Sequence, residues 1–228
     1  MSAPARVLVI GASRGLGLGL VEHYRAAGAA VTATVRDAAA VARLEALGAT
    51  VRALDLLDEA ALREAAQQLS GERFNLAIFN AGVTGSRTAD LSEPPDRGSF
   101  DRVMHTNVHA ALALAAPLIE ALAAERGTLV YLTSRMGSIG GVSAPGSALY
   151  RVSKAAENMV ARLAHLQAAS RGVRVLAMHP GWVRTDMGGQ AADIDIATSV
   201  SGMTRVIADA KAYPSGGFFD YRGEPIGW

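Results

Sequence analysis

The stretch from residue 7 to residue 27 constrains the fold of this chain more than any other. A short apolar run, Val7 to Ile10, leads directly into a glycine-rich turn at 11–17 and then into helix-forming sequence through Ala27. Continuous apolar runs of this length fit strands that are buried on both faces of a parallel sheet. The glycines let the backbone turn tightly and approach a ligand, and the helix N-terminus offers unpaired N–H groups and a positive dipole end. A strand, glycine turn and helix in this order predict a cradle for a dinucleotide pyrophosphate, although the glycines alone would equally fit a plain tight turn.

Short strands and amphipathic helices alternate along the rest of the chain. The helix after Ser99 is expected to run from Phe100 to about Ala124, with a kink or break at Pro117. Half of the 228 residues are hydrophobic and only 5% are aromatic, a mix that favours helices packed tightly on a sheet. We therefore predict an α/β fold, a single domain over 1–228 with a doubly wound parallel sheet of about seven strands flanked by helices. The further strands are predicted at 30–35, 50–54, 75–79, 128–133, 173–178 and 216–221.

Composition argues against several classes of partner. The formal net charge is +1 and no basic run stands out, so we expect no nucleic-acid partner. The absence of cysteine excludes disulfides and thiolate metal sites and fits a cytoplasmic protein. We interpret His105 and His109 as lying on different helix faces and expect no metal site. Residues 1–6 do not form a signal peptide and no apolar run approaches the length of a bilayer, so we expect no membrane association.

Charged and small residues follow the predicted strands where an adenosine moiety would lie. Arg36 ends the second strand, where a guanidinium favours a 2′-phosphate by charge and paired hydrogen bonds, and Arg14 could contribute to the same phosphate. Asp37 is the competing residue, because a carboxylate in the ribose position would move the preference towards NAD. Asp55, at the end of the third strand, could accept a hydrogen bond from an adenine amino group. The candidates at the ends of the third and fourth strands are Asp55, Leu56, Asn80, Ala81 and Gly82.

Tyr150 and Lys154 stand one turn apart on the next long predicted helix. An ammonium held near a phenol favours the phenolate, so such a pair can act as a general acid/base on a carbonyl or an alcohol. Spacing alone is weak support, because a tyrosine and a lysine at this separation occur in many helices. Ser134 ends the fifth strand just before this helix, which makes it a candidate hydrogen-bond donor to a carbonyl. Loops 83–98, 135–147 and 184–196 are expected to form the substrate pocket.

Taken together, these motifs resemble the short-chain dehydrogenase/reductase family over essentially the whole chain. The likeness rests on Gly11-Ala-Ser-Arg-Gly15-Leu-Gly17, Asn80-Ala-Gly82, Asn107, Ser134, Tyr150-x-x-x-Lys154 and Pro180-Gly181-x-Val-x-Thr185, in the family's order. Finer details, 133–138 and 179–187 among them, resemble the branch of C-factor and sniffer-type carbonyl reductases. The chain departs from the family at Ile10, where threonine is common, and at Phe79, where a second asparagine is usual.

The resemblance implies a Rossmann-type fold and a role for each candidate. Tyr150 would be the acid/base, and Lys154 would favour its phenolate and hold the nicotinamide ribose. Ser134 would steady the substrate oxygen, and Asn107 would hold a water that links Lys154 to solvent. The candidates for the pyrophosphate are Gly11, Ser13, Arg14, Gly15, Leu16 and Gly17. The candidates for the nicotinamide side are Pro180, Gly181, Val183 and Thr185.

The implied function is reduction of a ketone, aldehyde or quinone with NADPH, with NAD(H) as the alternative cofactor. A regulatory protein that binds NAD(P) with little turnover, as in C-factor-like relatives, is the competing hypothesis. An epimerase or dehydratase of nucleotide sugars is disfavoured because it would need a larger substrate domain after the last strand. The resemblance also implies a homodimer or homotetramer that pairs through the long helices holding Asn107 and Tyr150.

Overall fold

The computed structural model describes residues 6–86 and 90–228, so the predictions for residues 1–5 and for 87–89 of the first pocket loop lie outside the described residues. Seven parallel strands form one sheet in the order β3-β2-β1-β4-β5-β6-β7, and the order reverses between β1 and β4. This confirms the predicted doubly wound α/β domain. The strands are β1 (Arg6–Ile10), β2 (Ala30–Val35), β3 (Thr50–Ala53), β4 (Leu76–Phe79), β5 (Thr128–Leu132), β6 (Arg174–His179) and β7 (Gly217–Asp220).

Helices cover both faces of the sheet. One face carries α1, α2 and α7, and the other carries α3, α5 and α6. The helices are α1 (Gly15–Ala26), α2 (Val41–Ala46), α3 (Glu59–Ser70), α4 (Arg97–Met104), α5 (Ala110–Ala123), α6 (Ala148–Ala168) and α7 (Ile196–Ala208). Short 3₁₀ turns lie at Ala38–Ala40, Arg135–Gly137, Ala169–Arg171 and Ala210–Ala212.

The first strand illustrates why the core has two halves. Leu8 and Ile10 pack into the core beneath α3, α5 and α6, whereas Val7 and Val9 pack into the core beneath α1, α2 and α7. Successive side chains of a strand point to opposite faces, so a strand buried on both sides must be apolar throughout. Each such aliphatic side chain contributes roughly 1.5–3 kcal/mol when fully buried.

The long helix before β5 differs from its prediction in two ways. It begins at Arg97 because Asp96 caps it, accepting hydrogen bonds from the Ser99 amide at 2.9 Å and the Ser99 hydroxyl at 2.7 Å. The prediction was a kink or a local break at Pro117; no break occurs, and α5 continues through the proline with Leu114 and Leu118 buried on either side. The irregularity lies instead at His105–His109, which forms a π-helical turn between α4 and α5.

The continuous helical run Arg97–Ala123 also qualifies the expectation that no segment could span a bilayer. By length and composition alone it could do so, and 44% of its most apolar window is buried inside the protein. Within the fold, α5 packs against α3 and α6. The apolar composition of this run therefore has a structural explanation, since a helix between two others in a core needs apolar residues on several faces.

Candidate active site

A crevice of about 1050 Å³ opens at the carboxyl edge of the sheet, where the strand order reverses between β1 and β4. Ligands of doubly wound sheets bind at this switch point. Most of the predicted cofactor residues line the crevice: Gly11, Ser13, Arg14, Gly15, Leu16, Arg36, Asp55, Leu56, Asn80, Ala81, Gly82, Tyr150, Lys154, Pro180 and Thr185. Gly17, Gly181 and Val183 do not line it.

The glycine turn is fixed in place by the strands on both sides. The Thr34 hydroxyl of β2 accepts a hydrogen bond from the Gly11 amide at 3.1 Å, and the Asn80 side chain donates one to the Gly11 carbonyl at 2.5 Å. Gly11 has a φ of 86°, and a Cβ atom there would lie 2.8 Å from Ala81. Only glycine satisfies both constraints. The first turn of α1 carries no acidic residue and its N-cap makes no side-chain hydrogen bond, so its amides remain available to an anion.

Three arginine side chains line the part of the crevice formed by the glycine turn and the segment after β2. Arg36 is exposed there, and the neighbouring Asp37 carboxylate accepts a hydrogen bond from the Ala39 amide at 2.9 Å, capping a 3₁₀ turn. Through this hydrogen bond Asp37 acts as the N-cap of the turn. Arg14 forms an exposed ion pair with Asp186 across the mouth of the crevice. Arg43 also lines the crevice, and nothing in its sequence position had indicated this.

Tyr150 lies in the first turn of α6, and the Lys154 ammonium is 5.8 Å from the centre of its ring. The lysine side chain is almost fully buried and donates a hydrogen bond to the Leu132 carbonyl of β5 at 3.1 Å. A Cβ atom on Gly82 would lie 3.3 Å from the Lys154 Nζ. The small residues that follow β4 therefore leave room for the lysine to reach the crevice.

A second buried charge, Glu157, contacts the lysine. Its Oε2 lies 2.5 Å from the Lys154 Nζ, and neither side chain is reached appreciably by solvent. Burial opposes the charge of Lys154, but the charges of Glu157 and Tyr150 and the hydrogen bond to Glu157 together outweigh burial and raise the lysine pKa. Burial also raises the pKa of Glu157 to about 7, against the partial opposition of Lys154. The sequence had suggested no role for Glu157.

Asn107 is buried in the π turn, and its side-chain amide forms three hydrogen bonds within the chain. It accepts a hydrogen bond from the Val83 amide at 2.8 Å and donates to the Val83 carbonyl at 2.8 Å. It also donates to the Ser153 hydroxyl at 3.0 Å, and Ser153 in turn donates to the Tyr150 carbonyl at 2.8 Å. This network ties the end of β4 to the helix that carries Tyr150. The sequence feature that could have indicated this network is Ser153, a polar residue within the predicted helix.

Ser134 lies two residues after the end of β5 and does not line the crevice. Its hydroxyl accepts a hydrogen bond from the Met136 amide at 3.1 Å and so caps the 3₁₀ turn Arg135–Gly137. A Cβ atom on Gly137 would lie 2.6 Å from the Lys154 carbonyl carbon, so this turn packs directly on α6. The hydroxyl keeps its own proton for another acceptor, which is compatible with donation to a substrate oxygen.

The three predicted pocket loops contribute unequally. Loop 184–196 lines the crevice from Arg184 to Met187, at Gln190 and at Ile196, and the described part of loop 83–98 contributes Val83. Loop 135–147 does not line the crevice but is pinned beside it. The Ser138 hydroxyl donates to the Gly227 carbonyl at 2.6 Å, and the Gly140 amide donates to the Trp228 carbonyl at 3.2 Å.

The interpretation of the two histidines was wrong. The rings of His105 and His109 lie 5.5 Å apart, so they share a face of the π turn. His105 Nδ1 is 2.6 Å from the Asp101 carbonyl oxygen. Within residues 6–86 and 90–228, no three His, Asp or Glu side chains are grouped so as to hold a metal ion.

Several residues of the crevice were not predicted. Leu132 and Thr133 directly precede Ser134, so their position at a strand end was the available signal. The segment after β2 gave no pattern that pointed to a ligand. The crevice residues absent from the sequence prediction are Thr34, Val35, Ala39, Ala40, Arg43, Leu54, Leu57, Thr106, Leu132 and Thr133.

Comparison with known proteins places this geometry in a family. The family model of the short chain dehydrogenases matches residues 5–194. C-signal of Myxococcus xanthus is 37% identical over 157 residues, which cover 68% of this chain and 92% of that protein. The carbonyl reductase Sniffer of D. melanogaster has a TM-score of 0.87 at 25% identity, covering 98% of this chain and 99% of the other. An NADPH-bound carbonyl reductase from chicken fatty liver has a TM-score of 0.84 at 31% identity, with the same coverage. The chain belongs to the short-chain dehydrogenase/reductase family.

Proposed function

We propose that the protein reduces a ketone, aldehyde or quinone to the alcohol with NADPH, and that Tyr150 is the general acid. The observation that carries the proposal is the position of Tyr150 and Lys154 on the wall of a crevice whose opposite end is the glycine turn. The likeness to an NADPH-bound carbonyl reductase supports both the reaction and the cofactor.

The residues of the crevice fit a dinucleotide phosphate. The close approach at Gly11 and the uncapped start of α1 suit a pyrophosphate, and exposed Arg36 suits a 2′-phosphate. Asp37 also lines the crevice, and its carboxylate caps its own 3₁₀ turn, so the preference for NADPH over NADH in the proposal is based on the exposed Arg36 beside it. When bound, the reduced nicotinamide supplies the hydride, and the chain supplies position and protons.

In the proposed reaction Tyr150 donates its phenolic proton to the carbonyl oxygen as negative charge develops there. Ser134 donates a second hydrogen bond to the same oxygen. Lys154 has a proton left after bonding Leu132 and Glu157, and this proton is directed to the ribose of the cofactor.

In the proposal, the Asn107 side chain does not itself hold the water that links Lys154 to solvent. Both of its side-chain N–H groups bond within the chain, to Val83 and Ser153, and its oxygen accepts from the Val83 amide, so the proposal assigns a relay water to a backbone carbonyl of the π turn instead. Widened turns of this kind release carbonyls from the regular helical ladder. The Asn107 amide then serves to position α6 against the end of β4.

The competing proposal is an NAD(P)-binding regulator with little turnover, and the similarity to C-signal supports keeping it. The decisive experiment mixes the protein with NADPH and a panel of ketones, aldehydes and quinones and follows the loss of reduced nicotinamide. Turnover across part of the panel supports the reductase. Tight NADPH binding with no turnover on any compound would favour the regulator.

Tyr150→Phe tests the assignment of the acid. This variant should lose at least about a hundredfold in kcat while binding NADPH normally, because general acid catalysis typically contributes that much. Tyr24→Phe is the matched control, since the buried Tyr24 hydroxyl lies in the core beneath α1 and has no hydrogen-bond partner in the described chain. Near-normal turnover in Tyr150→Phe would contradict the assignment.

A homodimer or homotetramer is also part of the proposal. Large apolar side chains on α5 and α6 are half or more exposed in the single chain, and a stripe of this kind is typical of a protein–protein interface. These side chains are Leu112, Val152, Met159, Leu163 and Leu166. Pairing through this face would cover them with a second copy.

A further inference from the structure

Glu157 is a buried carboxylate that the proposed reaction does not use. It is fully shielded from solvent, three positions after Lys154, and its Oε2 lies 2.5 Å from the lysine Nζ. Its other oxygen, Oε1, is buried without a hydrogen-bond partner in the described chain. Burying a carboxylate with one oxygen unsatisfied costs free energy. The contact between Glu157 and Lys154 opposes this cost.

We propose that Glu157 is a positioning residue that compensates the charge of Lys154 and thereby keeps the Tyr150 phenol protonated to higher pH, which extends the pH range in which Tyr150 can act as the acid in carbonyl reduction. The proposal deepens the function proposed above and rests on it. Glu157 acts through Lys154 and contacts neither the Tyr150 phenol nor the substrate.

The distances support an electrostatic effect on the phenol. The Lys154 ammonium is 5.8 Å from the centre of the Tyr150 ring, so the Glu157 carboxylate lies within roughly 8 Å of that ring. An ammonium without a counter-charge would favour the phenolate strongly. A carboxylate in contact with that ammonium cancels much of this influence, and no solvent screens either charge.

Other ionisable groups around Glu157 do not share this function. Tyr131 of β5 is buried, and both burial and the charge of Glu157 raise its pKa, so it stays neutral. Arg135, in the turn packed on α6, pairs with Asp220. Glu120, on the neighbouring α5, pairs with Arg171. In the described part of the chain, Lys154 is the charged group whose interaction shifts the ionisation of Glu157.

Reduction and oxidation of the substrate require different protonation states of Tyr150. In reduction the Tyr150 O–H bond breaks, its proton forms the new O–H bond of the alcohol, and the carbonyl carbon gains the hydride electron pair from the reduced nicotinamide. Oxidation needs the phenolate as base instead. A counter-charge that preserves the protonated phenol to higher pH therefore extends the range in which reduction proceeds.

A spectroscopic titration tests the proposal without requiring turnover. The tyrosinate absorbance of the cofactor-free Tyr150→Phe variant, subtracted from that of wild type, isolates the ionisation of Tyr150. The same difference is then measured in the Glu157→Gln background. We expect Tyr150 to titrate roughly one pH unit lower in that background, because a unit negative charge within about 8 Å has been removed. Titration at the same or a higher pH would overturn the proposal.

Three variants separate charge from packing. Glu157→Leu removes the charge and also leaves no polar group to satisfy, so it serves if Glu157→Gln fails to fold; both should shift the titration alike. Glu157→Asp keeps the charge and should restore most of the wild-type value, and a Glu157→Asp protein that behaves like Glu157→Gln would refute an electrostatic role. In turnover assays the alkaline limb of the reduction profile should move down by the same amount in Glu157→Gln. Absence of wild-type turnover would defeat the proposed function, whereas an unshifted titration defeats the role of Glu157 alone.

Discussion

Gly17→Ala is the substitution for which the structure predicts a specific failure of the cofactor cradle. A Cβ atom at this position would overlap the Gly11 carbonyl oxygen and lie 2.6 Å from the Asn80 Nδ2 and 2.9 Å from the Ala12 Cα. Two of these three atoms belong to the backbone, so rotation of a side chain cannot relieve the clash. The glycine turn must move away from α1, and the 2.5 Å hydrogen bond from Asn80 to Gly11 must lengthen or break.

The expected cost follows from three contributions. Overpacking against fixed atoms costs roughly 1–3 kcal/mol, and the lost hydrogen bond costs about 1 kcal/mol. Replacing glycine by alanine inside a helix returns up to about 1 kcal/mol. The net destabilisation is therefore roughly 1–3 kcal/mol. Because the displaced turn is the proposed binding surface for the pyrophosphate, we expect NADPH affinity to fall by about tenfold or more.

Gly19→Ala on the same helix is the matched control. A Cβ atom there would meet methyl groups of Ile196 and Val200 at 2.7 and 3.2 Å, which belong to side chains of α7 and can shift. Its effect on NADPH binding should stay within about twofold, since the cradle is untouched. Urea denaturation and calorimetric titration with NADPH measure both quantities. Wild-type affinity in Gly17→Ala, or equal losses in the two variants, would refute this reasoning.

Three further predictions concern charge and assembly. Arg36→Ala should weaken NADPH binding by about tenfold or more while barely changing NADH binding, because a charge-assisted hydrogen bond contributes roughly 1.5–3 kcal/mol; equal losses in paired titrations would exclude the phosphate contact. Burial raises the pKa of Glu157 from 4.5 to about 7, so the folded chain holds this proton more tightly than the unfolded chain. Its contribution to the free energy of unfolding should therefore decline by on the order of 3 kcal/mol as pH rises through that window, and a pH-independent difference from Glu157→Gln in urea denaturation would contradict this. Leu163→Glu, on the exposed apolar stripe, should convert the proposed oligomer into smaller species in light scattering without loss of helical signal, whereas an unchanged mass would argue against that interface.

The sheet could be predicted because its signals are local and mutually consistent. Each strand is a short apolar run, and the glycine turn after β1 marks the switch point whatever the rest of the chain does. The contacts of Tyr150 and Lys154 with the crevice could be expected for the same reason, since parallel strands place all their carboxyl ends along one edge.

Some differences from the prediction are local, such as the shared face of His105 and His109, whereas others depend on contacts between segments distant in sequence. A break was expected at Pro117, but tertiary packing of Leu114 and Leu118 holds α5 together. The π turn appears where Asn107 bonds to Val83, a pairing that no local propensity reveals. A glutamate three positions after a lysine is typical of an exposed helix face. Only the burial of both side chains in the folded chain distinguishes the Lys154–Glu157 pair from a surface ion pair.

The two bonds that pin loop 135–147 have a practical consequence for directed evolution of the substrate range. Ser138 and Gly140 anchor the loop to the last two residues, while Ile139 and Val142 are largely exposed. Randomising the exposed positions of this loop up to the start of α6 changes the surface next to the crevice while the hydrogen bonds that anchor the loop remain. A library that preserves Gly137 and Ser138 should therefore retain a higher proportion of folded, NADPH-binding members than one that varies the whole loop.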